Sequence, residues 1–108
     1  MMNFKQLRNI YFLGIGGIGM SAIARWFNVN GYRVAGYDRT ATPLTDALRA
    51  EGISIHFEDD VRHIPAEFLA HRDATLVVRT PAIPADHAEW NFLEKENFQI
   101  MKRSQVLG

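Results

Sequence analysis

Four glycines in the six residues Gly14-Ile15-Gly16-Gly17-Ile18-Gly19 restrict this chain's fold more than any other segment. They cut an uncharged run from Asn9 to Ala24 in two. Inside a helix each glycine costs about 0.8–1.0 kcal/mol relative to alanine, so the run cannot be one apolar helix. Before the break, Asn9 to Ile15 holds Ile10, Tyr11, Phe12, Leu13 and Ile15 without polar alternation, the pattern of a parallel strand covered on both faces. After it, Met20, Ile23, Ala24 and Phe27 recur at helical spacing from Ile18 to Val29, with Ala22, Trp26 and Val29 on the adjoining stripe and Asn30-Gly31 as the stop. Met20 and Trp26 are therefore expected in the core. The segment reads strand, glycine turn, helix.

A targeting signal is the competing reading. Lys5 and Arg8 precede the run, and Ala22-Ile23-Ala24 imitates a small-residue cleavage site. The glycines oppose an apolar helix, and the run from Asn9 to Ala24 is shorter than the ~20 residues that span a bilayer. The strand-turn-helix reading is adopted, with a cytoplasmic location.

The remaining chain continues the alternation. Arg33 to Asp38 reads as a second strand. Thr42-Pro43 reads as an N-cap with proline at the first helical position, and that helix runs through Leu44, Ala47 and Leu48 to a terminating Gly52. Ile53 to Phe57 is a third strand, Pro65 to Ala70 a short helix and Ala74 to Arg79 a fourth strand. Asp86 with Glu89 three residues on resembles a capping box opening a helix to Asn97, and Gln99 to Lys102 is a fifth strand. This alternation predicts an α/β fold: a Rossmann-like three-layer open parallel five-stranded sheet, order 3-2-1-4-5, in one domain over residues 1–108. The strand order reverses between strands 1 and 4, and ligands bind outside the carboxyl ends of strands at such a point.

Three segments converge there: the glycine turn, Asp38-Arg39-Thr40, and Thr80-Pro81-Ala82-Ile83-Pro84. Gly14, Gly16 and Gly19 satisfy G-x-G-x-x-G after a strand and before a helix, the context in which that spacing cradles phosphates. The first glycine allows the tight turn, the second lets a phosphate approach the backbone, and the third lets helix and strand pack closely. The free amides of the first helical turn and the helix dipole then favour an anion, and Ser21 adds a hydroxyl in that turn. Asp38, 19 residues beyond Gly19, stands where a carboxylate commonly accepts from ribose hydroxyls. Glycines serving only a tight turn are the bland alternative.

Composition removes other classes. Twelve Lys+Arg against twelve Asp+Glu give no net charge, against a nucleic-acid or membrane-surface role. The absence of cysteine removes thiolate metal sites and cysteine nucleophiles. Glu58-Asp59-Asp60 reads as a solvated loop before a cation site. His56, His63, His71 and His87 lack metal-ligand spacing and read as surface or satisfied interior residues. No metal site and no catalytic residue is assigned.

GIGGIGMSAIA after the first strand, Gly36-Tyr37-Asp38 after the second, Thr80-Pro81-Ala82-Ile83 after the fourth and Lys102-Arg103-Ser104-Gln105-Val106-Leu107-Gly108 closely resemble the amino-terminal domain of the Mur ligases of bacterial peptidoglycan synthesis. The resemblance spans essentially the whole chain and is nearest to the members that add L-alanine to UDP-N-acetylmuramate. It implies a UDP-binding domain forming the amino-terminal part of a three-domain ligase, with UDP-N-acetylmuramate as partner. ATP, Mg2+ and L-alanine are implied only for that longer ligase, because no G-x-x-x-x-G-K-[ST] occurs here and this chain carries no cofactor of its own. By resemblance the amides around Gly16, Gly17, Ile18, Gly19 and Met20 hold the diphosphate, Asp38 meets the uridine ribose or base edge, and Thr80 with Ala82 closes the crevice. With Gly14, Ser21 and Arg39 these complete the candidate substrate-binding set. The family often has Gly-Ser-Asp, Gly-His and Ser-Ser-Ala-Ile where this chain has Gly36-Tyr37-Asp38, Glu58-Asp59 and Thr80-Pro81-Ala82-Ile83. Those departures bear on uracil recognition more than on the diphosphate. Two other readings share the motif: the NAD-binding domain of a dehydrogenase and a regulatory nucleotide-sensing module.

Overall fold

A computed structural model describes residues 4–107. Five strands, β1 (Asn9–Leu13), β2 (Arg33–Tyr37), β3 (Ser54–His56), β4 (Thr75–Arg79) and β5 (Gln99–Lys102), alternate with helices α1 (Ile18–Val29), α2 (Pro43–Ala50), α3 (Ala66–Ala70), α4 (Ala88–Lys95) and α5 (Arg103–Leu107). All four pairings are parallel and the order is β3-β2-β1-β4-β5, as expected from the alternation.

Strand β1 is buried along its whole length because it lies at the centre and both its faces are covered. Ile10 and Phe12 join one apolar cluster with Met20, Ile23, Ala24 and Phe27 of α1 and Leu48 of α2. Tyr11 and Leu13 point the other way, to Phe68 of α3 and Leu93 of α4. The period-two alternation of side chains across a strand thus appears as two cores rather than as a core and a wet face.

Local signals set the helix ends. Gly14, at φ +92°, stops β1 before Ile15, which stays buried but leaves the ladder. Asn30 caps α1, and Gly31 follows at φ +88°. Thr42 caps α2 as expected, and Thr45 returns its hydroxyl to the Thr42 amide at 2.8 Å, completing a capping box.

Two expectations need correction. Asp86 and Glu89 do not form a capping box on α4. The N-cap is His87, whose Nδ1 accepts from the Trp90 amide at 3.3 Å, while Asp86 is exposed and Glu89 is fully buried. Trp26 is not core: it is 58% exposed, with Ile18 at 87% and Val29 at 83% on the same outer side of α1. The stripe of Met20, Ile23, Ala24 and Phe27 packs on the sheet, and the adjoining stripe faces outward. Beyond the fifth strand, where no element was expected, Arg103 to Leu107 forms α5, which carries Val106 back onto the α1 face. Gly108 lies outside the described residues.

Candidate functional site

At the carboxyl end of the sheet the chain turns sharply after β1. The Gly14 and Ile15 amides both donate to the Tyr37 carbonyl, at 2.8 and 3.0 Å, tying the turn to the end of β2. On the other side the Thr80 amide donates to the Leu13 carbonyl at 3.2 Å, tying the end of β4 to the same point. A crevice of about 540 Å³ opens between these strand ends. Gly14, Gly17, Asp38, Arg39, Thr80 and Ala82 line it, together with Tyr37, Asp59 and His87.

Each motif glycine lies against a side chain from a different strand end. A Cβ on Gly14 would overlap the Thr80 methyl, and the positive φ there already demands glycine. A Cβ on Gly16 would lie 2.7 Å from Asp38 Oδ2. One on Gly19 would lie 2.6 Å from Arg103 Nη1, at the start of α5. The second glycine therefore admits a carboxylate and the third a guanidinium. Gly17 is different: its Cβ would meet nothing nearer than 3.9 Å, so its surroundings are open.

Asp38 is spent partly on the protein itself. Oδ2 accepts the Gly16 amide at 2.7 Å and Oδ1 accepts the Thr40 amide at 3.0 Å. Each carboxylate oxygen keeps a further acceptor direction for a ligand hydroxyl. The Gly16 amide is occupied by this bond. What remains at the helix start are the amides of Ile18, Gly19 and Met20, the first turn of α1, which no side chain caps. Ser21 stands apart from the mouth. It is buried, and its hydroxyl donates to the Ile18 carbonyl at 2.9 Å, so it serves the helix rather than an anion. The Met20 side chain is likewise in the core, leaving only its backbone at the site.

The acidic run after β3 is engaged by the protein. Asp59 accepts the Ala88 and Glu89 amides at 2.8 and 3.0 Å, closing the start of α4. Asp60 pairs with Arg62 at 2.6 Å, whose hydrogen bonds hold its carboxyl well below the usual range. Glu58 lies 3.7 Å from His63. Among the described residues no cluster of His, Cys, Asp and Glu could hold a metal ion.

Behind the crevice lies a buried polar group that pattern reasoning missed. The Glu89 carboxylate accepts from the Tyr11 hydroxyl, from His56 Nε2 at 2.8 Å and from the Asp60 amide at 3.1 Å. A carboxylate only accepts, so His56 carries its proton on Nε2. Burial, then the charge of Glu89, pushes the Tyr11 phenol far above its ordinary range. Burial first also raises Tyr37, whose ring meets His87 edge-on at 4.7 Å. His87 itself is 5% exposed and its Nε2 has no hydrogen-bond partner. These residues are far apart in sequence, so no spacing rule could join them.

A family profile described as Mur ligase family, catalytic domain, matches residues 9–108. The UDP-N-acetylmuramate--L-alanine ligase of Cytophaga hutchinsonii is 51% identical over 107 residues, 99% of this chain and 23% of the relative. That of Porphyromonas gingivalis strain W83 is 50% identical over 102 residues, 94% of this chain and 22% of the relative. The crystal structure of UDP-N-acetylmuramate-alanine ligase from Thermotoga maritima is similar at a TM-score of 0.78 and 34% identity, over 92% of this chain and 21% of that one. A murein peptide ligase from Psychrobacter arcticus shares the fold at a TM-score of 0.78 and 23% identity, over 93% of this chain and 20% of that one. The chain thus spans about a quarter of the length of the curated relatives that it matches.

Proposed function

The chain belongs to the Mur ligase family, and on that premise we propose that it is the domain that binds UDP-N-acetylmuramate in a cytoplasmic ligase joining L-alanine to that nucleotide sugar for peptidoglycan synthesis. The observation that carries this reading is the uncapped start of α1, opening beside a crevice of about 540 Å³ at the carboxyl edge of the sheet. The diphosphate sits on the Ile18, Gly19 and Met20 amides, where three N–H donors and the positive end of the helix dipole meet it without needing to reorganise. Asp38, fixed by Gly16 and Thr40, accepts from the nucleoside hydroxyls. Arg39, Thr80 and Ala82 bound the crevice on its other sides.

The full ligase uses ATP and Mg2+ to activate the lactyl carboxylate for attack by alanine. The residues here do not fit that pair, since the chain holds no G-x-x-x-x-G-K-[ST]. This domain binds and orients; it does not turn over ATP.

Calorimetry of the chain with UDP-N-acetylmuramate, UDP and NADH tests the reading. Binding of both uridine nucleotides with little or none of NADH is expected, and tighter binding of NADH overturns it in favour of a dehydrogenase-type domain. ATP turnover by the pure chain overturns the binding-only role. Asp38→Ala weakens UDP by about 1.5–3 kcal/mol, the worth of a hydrogen bond to a charged group. Because Asp38 also anchors Gly16, inorganic pyrophosphate weakens too.

A further inference from the structure

The outer side of α1 carries apolar surface that this domain does not cover. A groove of about 530 Å³, lined by Gly19, Ala22, Ile23, Trp26, Phe27, Tyr32 and Val106, runs beside the helix without a charged side chain in its lining. It shares no residue with the crevice at the carboxyl edge. Trp26 in the groove is more exposed than buried, and Ile18 and Val29 stand almost fully exposed on the same outer side. Contiguous apolar exposure of this kind marks a surface that another segment covers.

Helix α5 points to which segment that is. It leaves β5 at Arg103, whose side chain lies against Gly19, and three residues later Val106 is in the groove. Arg103, Ser104 and Gln105 are exposed while Val106 packs on the α1 cluster, so α5 is amphipathic from its first turn. Yet it is described over only 5 residues, and among its described side chains Val106 alone joins that cluster. An isolated helix shorter than ~12–15 residues is marginal in water, so a single anchor is a weak hold. Two helical turns, about 11 Å, match the rise from Gly19 to Trp26 along α1. A short stretch of further chain is therefore enough to fill the groove. The chain spans about a quarter of the length of its curated relatives, which supplies that stretch.

We propose that the groove is the seat of the segment that directly follows residue 108 in the full-length ligase, which lays apolar side chains against Trp26 and Phe27 along the course that α5 begins. The α1 face thereby joins the domain to the rest of the protein. The inference rests on the ligase reading for the existence of that segment, and not on what the crevice binds.

Hydrogen exchange of the full-length protein, read peptide by peptide in the parent, in Trp26→Glu and in Trp26→Ser, tests the proposal. In the parent the segment after residue 108 is protected. Trp26→Glu sets a charge in the groove and speeds exchange of that segment at least about tenfold, which corresponds to ~1.4 kcal/mol, while β1 and β4 keep their protection. Trp26→Ser gives a smaller increase in the same segment and serves alone if Trp26→Glu does not fold. UDP affinity holds in both variants, because Trp26 lies outside the crevice. A segment that exchanges like unfolded chain in the parent overturns the proposal, and so does protection that neither variant changes. A parent dimer that Trp26→Glu dissociates, with exchange of the segment unaltered, also overturns it and assigns the groove to a second copy. Protection of the segment in a protein that binds no uridine nucleotide leaves this inference standing and removes the nucleotide-sugar reading. UDP binding with an unprotected segment does the reverse.

Discussion

Helices α1 and α4 both begin at the carboxyl edge of the sheet, and their first turns are treated in opposite ways. At α4 the protein satisfies its own amides: Asp59 takes those of Ala88 and Glu89, and His87 takes that of Trp90. The Glu89 side chain is drawn inward to Tyr11 and His56. At α1 the N-cap is Gly17, with no side-chain cap, and the first turn stands open. Two helices with the same dipole and the same orphan amides thus become a structural joint and, in the proposed function, a ligand cradle. The difference is that side chains from β3 and the loop after it reach α4, whereas the residues nearest α1 are glycines. An open helix start leaves its amides to water or to a ligand, and its place beside a crevice is what supports the proposed site.

The largest effect is expected from breaking the closed end. Glu89→Ala leaves the Tyr11 hydroxyl, His56 and the Asp60 amide without their buried acceptor, and should cost about 3–5 kcal/mol in urea unfolding. A loss below about 1 kcal/mol would show that water replaces the carboxylate and that α4 is not held from behind.

Closing the open end comes next. Gly17→Asp places a good cap where the backbone is already extended, at φ −68° and ψ 150°, and where a Cβ has room. The melting temperature should hold or rise, since such caps contribute about 0.5–2 kcal/mol. UDP affinity should fall at least about a hundredfold as the carboxylate occupies the amides and repels phosphate. Gly17→Val, which blocks without capping, should lose binding with no gain in stability. Retained affinity in a folded Gly17→Asp would place the ligand elsewhere.

A smaller effect follows from pH. The native Tyr11 phenol is held protonated, chiefly by burial and then by Glu89, whereas in the unfolded chain it ionises near pH 10. The unfolded state alone releases this proton, so stability is complete below about pH 10 and falls as pH rises above it. Urea midpoints between pH 8 and 11 should show this decline, and Tyr11→Phe should flatten it. An unchanged slope in that variant would assign the alkaline loss to other groups.

The smallest effect concerns the outer face of α1. Trp26→Ser should change stability by less than about 1 kcal/mol, because the ring is more exposed than buried and its aromatic contact is an edge against Phe27 at 5.2 Å between centroids. A cost of several kcal/mol would return Trp26 to the core.

Much of this architecture was legible. The glycine break, Asn30-Gly31 and Thr42-Pro43 placed the ends of α1 and α2 because caps and positive φ are set by a residue and its immediate neighbours. The apolar runs and their alternation with helices predicted the strand order observed. The α4 cap was misread for the converse reason. Asp86 and Glu89 satisfy the local spacing of a capping box, but Tyr11 and His56 bring partners from 78 and 33 residues away, and Glu89 turns inward. Trp26 was misplaced because helical periodicity defines a stripe without saying how wide the surface that covers it is.

What the sequence by itself determined is where the backbone must turn and which runs must be covered: Gly14 permits the turn after β1, and the unbroken apolar β1 requires a layer on each face. Only the tertiary structure decided what the glycines accommodate. Thr80, Asp38 and Arg103 come from three different strand ends, and they meet Gly14, Gly16 and Gly19 because the parallel sheet delivers every strand's carboxyl end to the same edge. A spacing motif records that room was left; the long-range register of the sheet determines which side chain takes it.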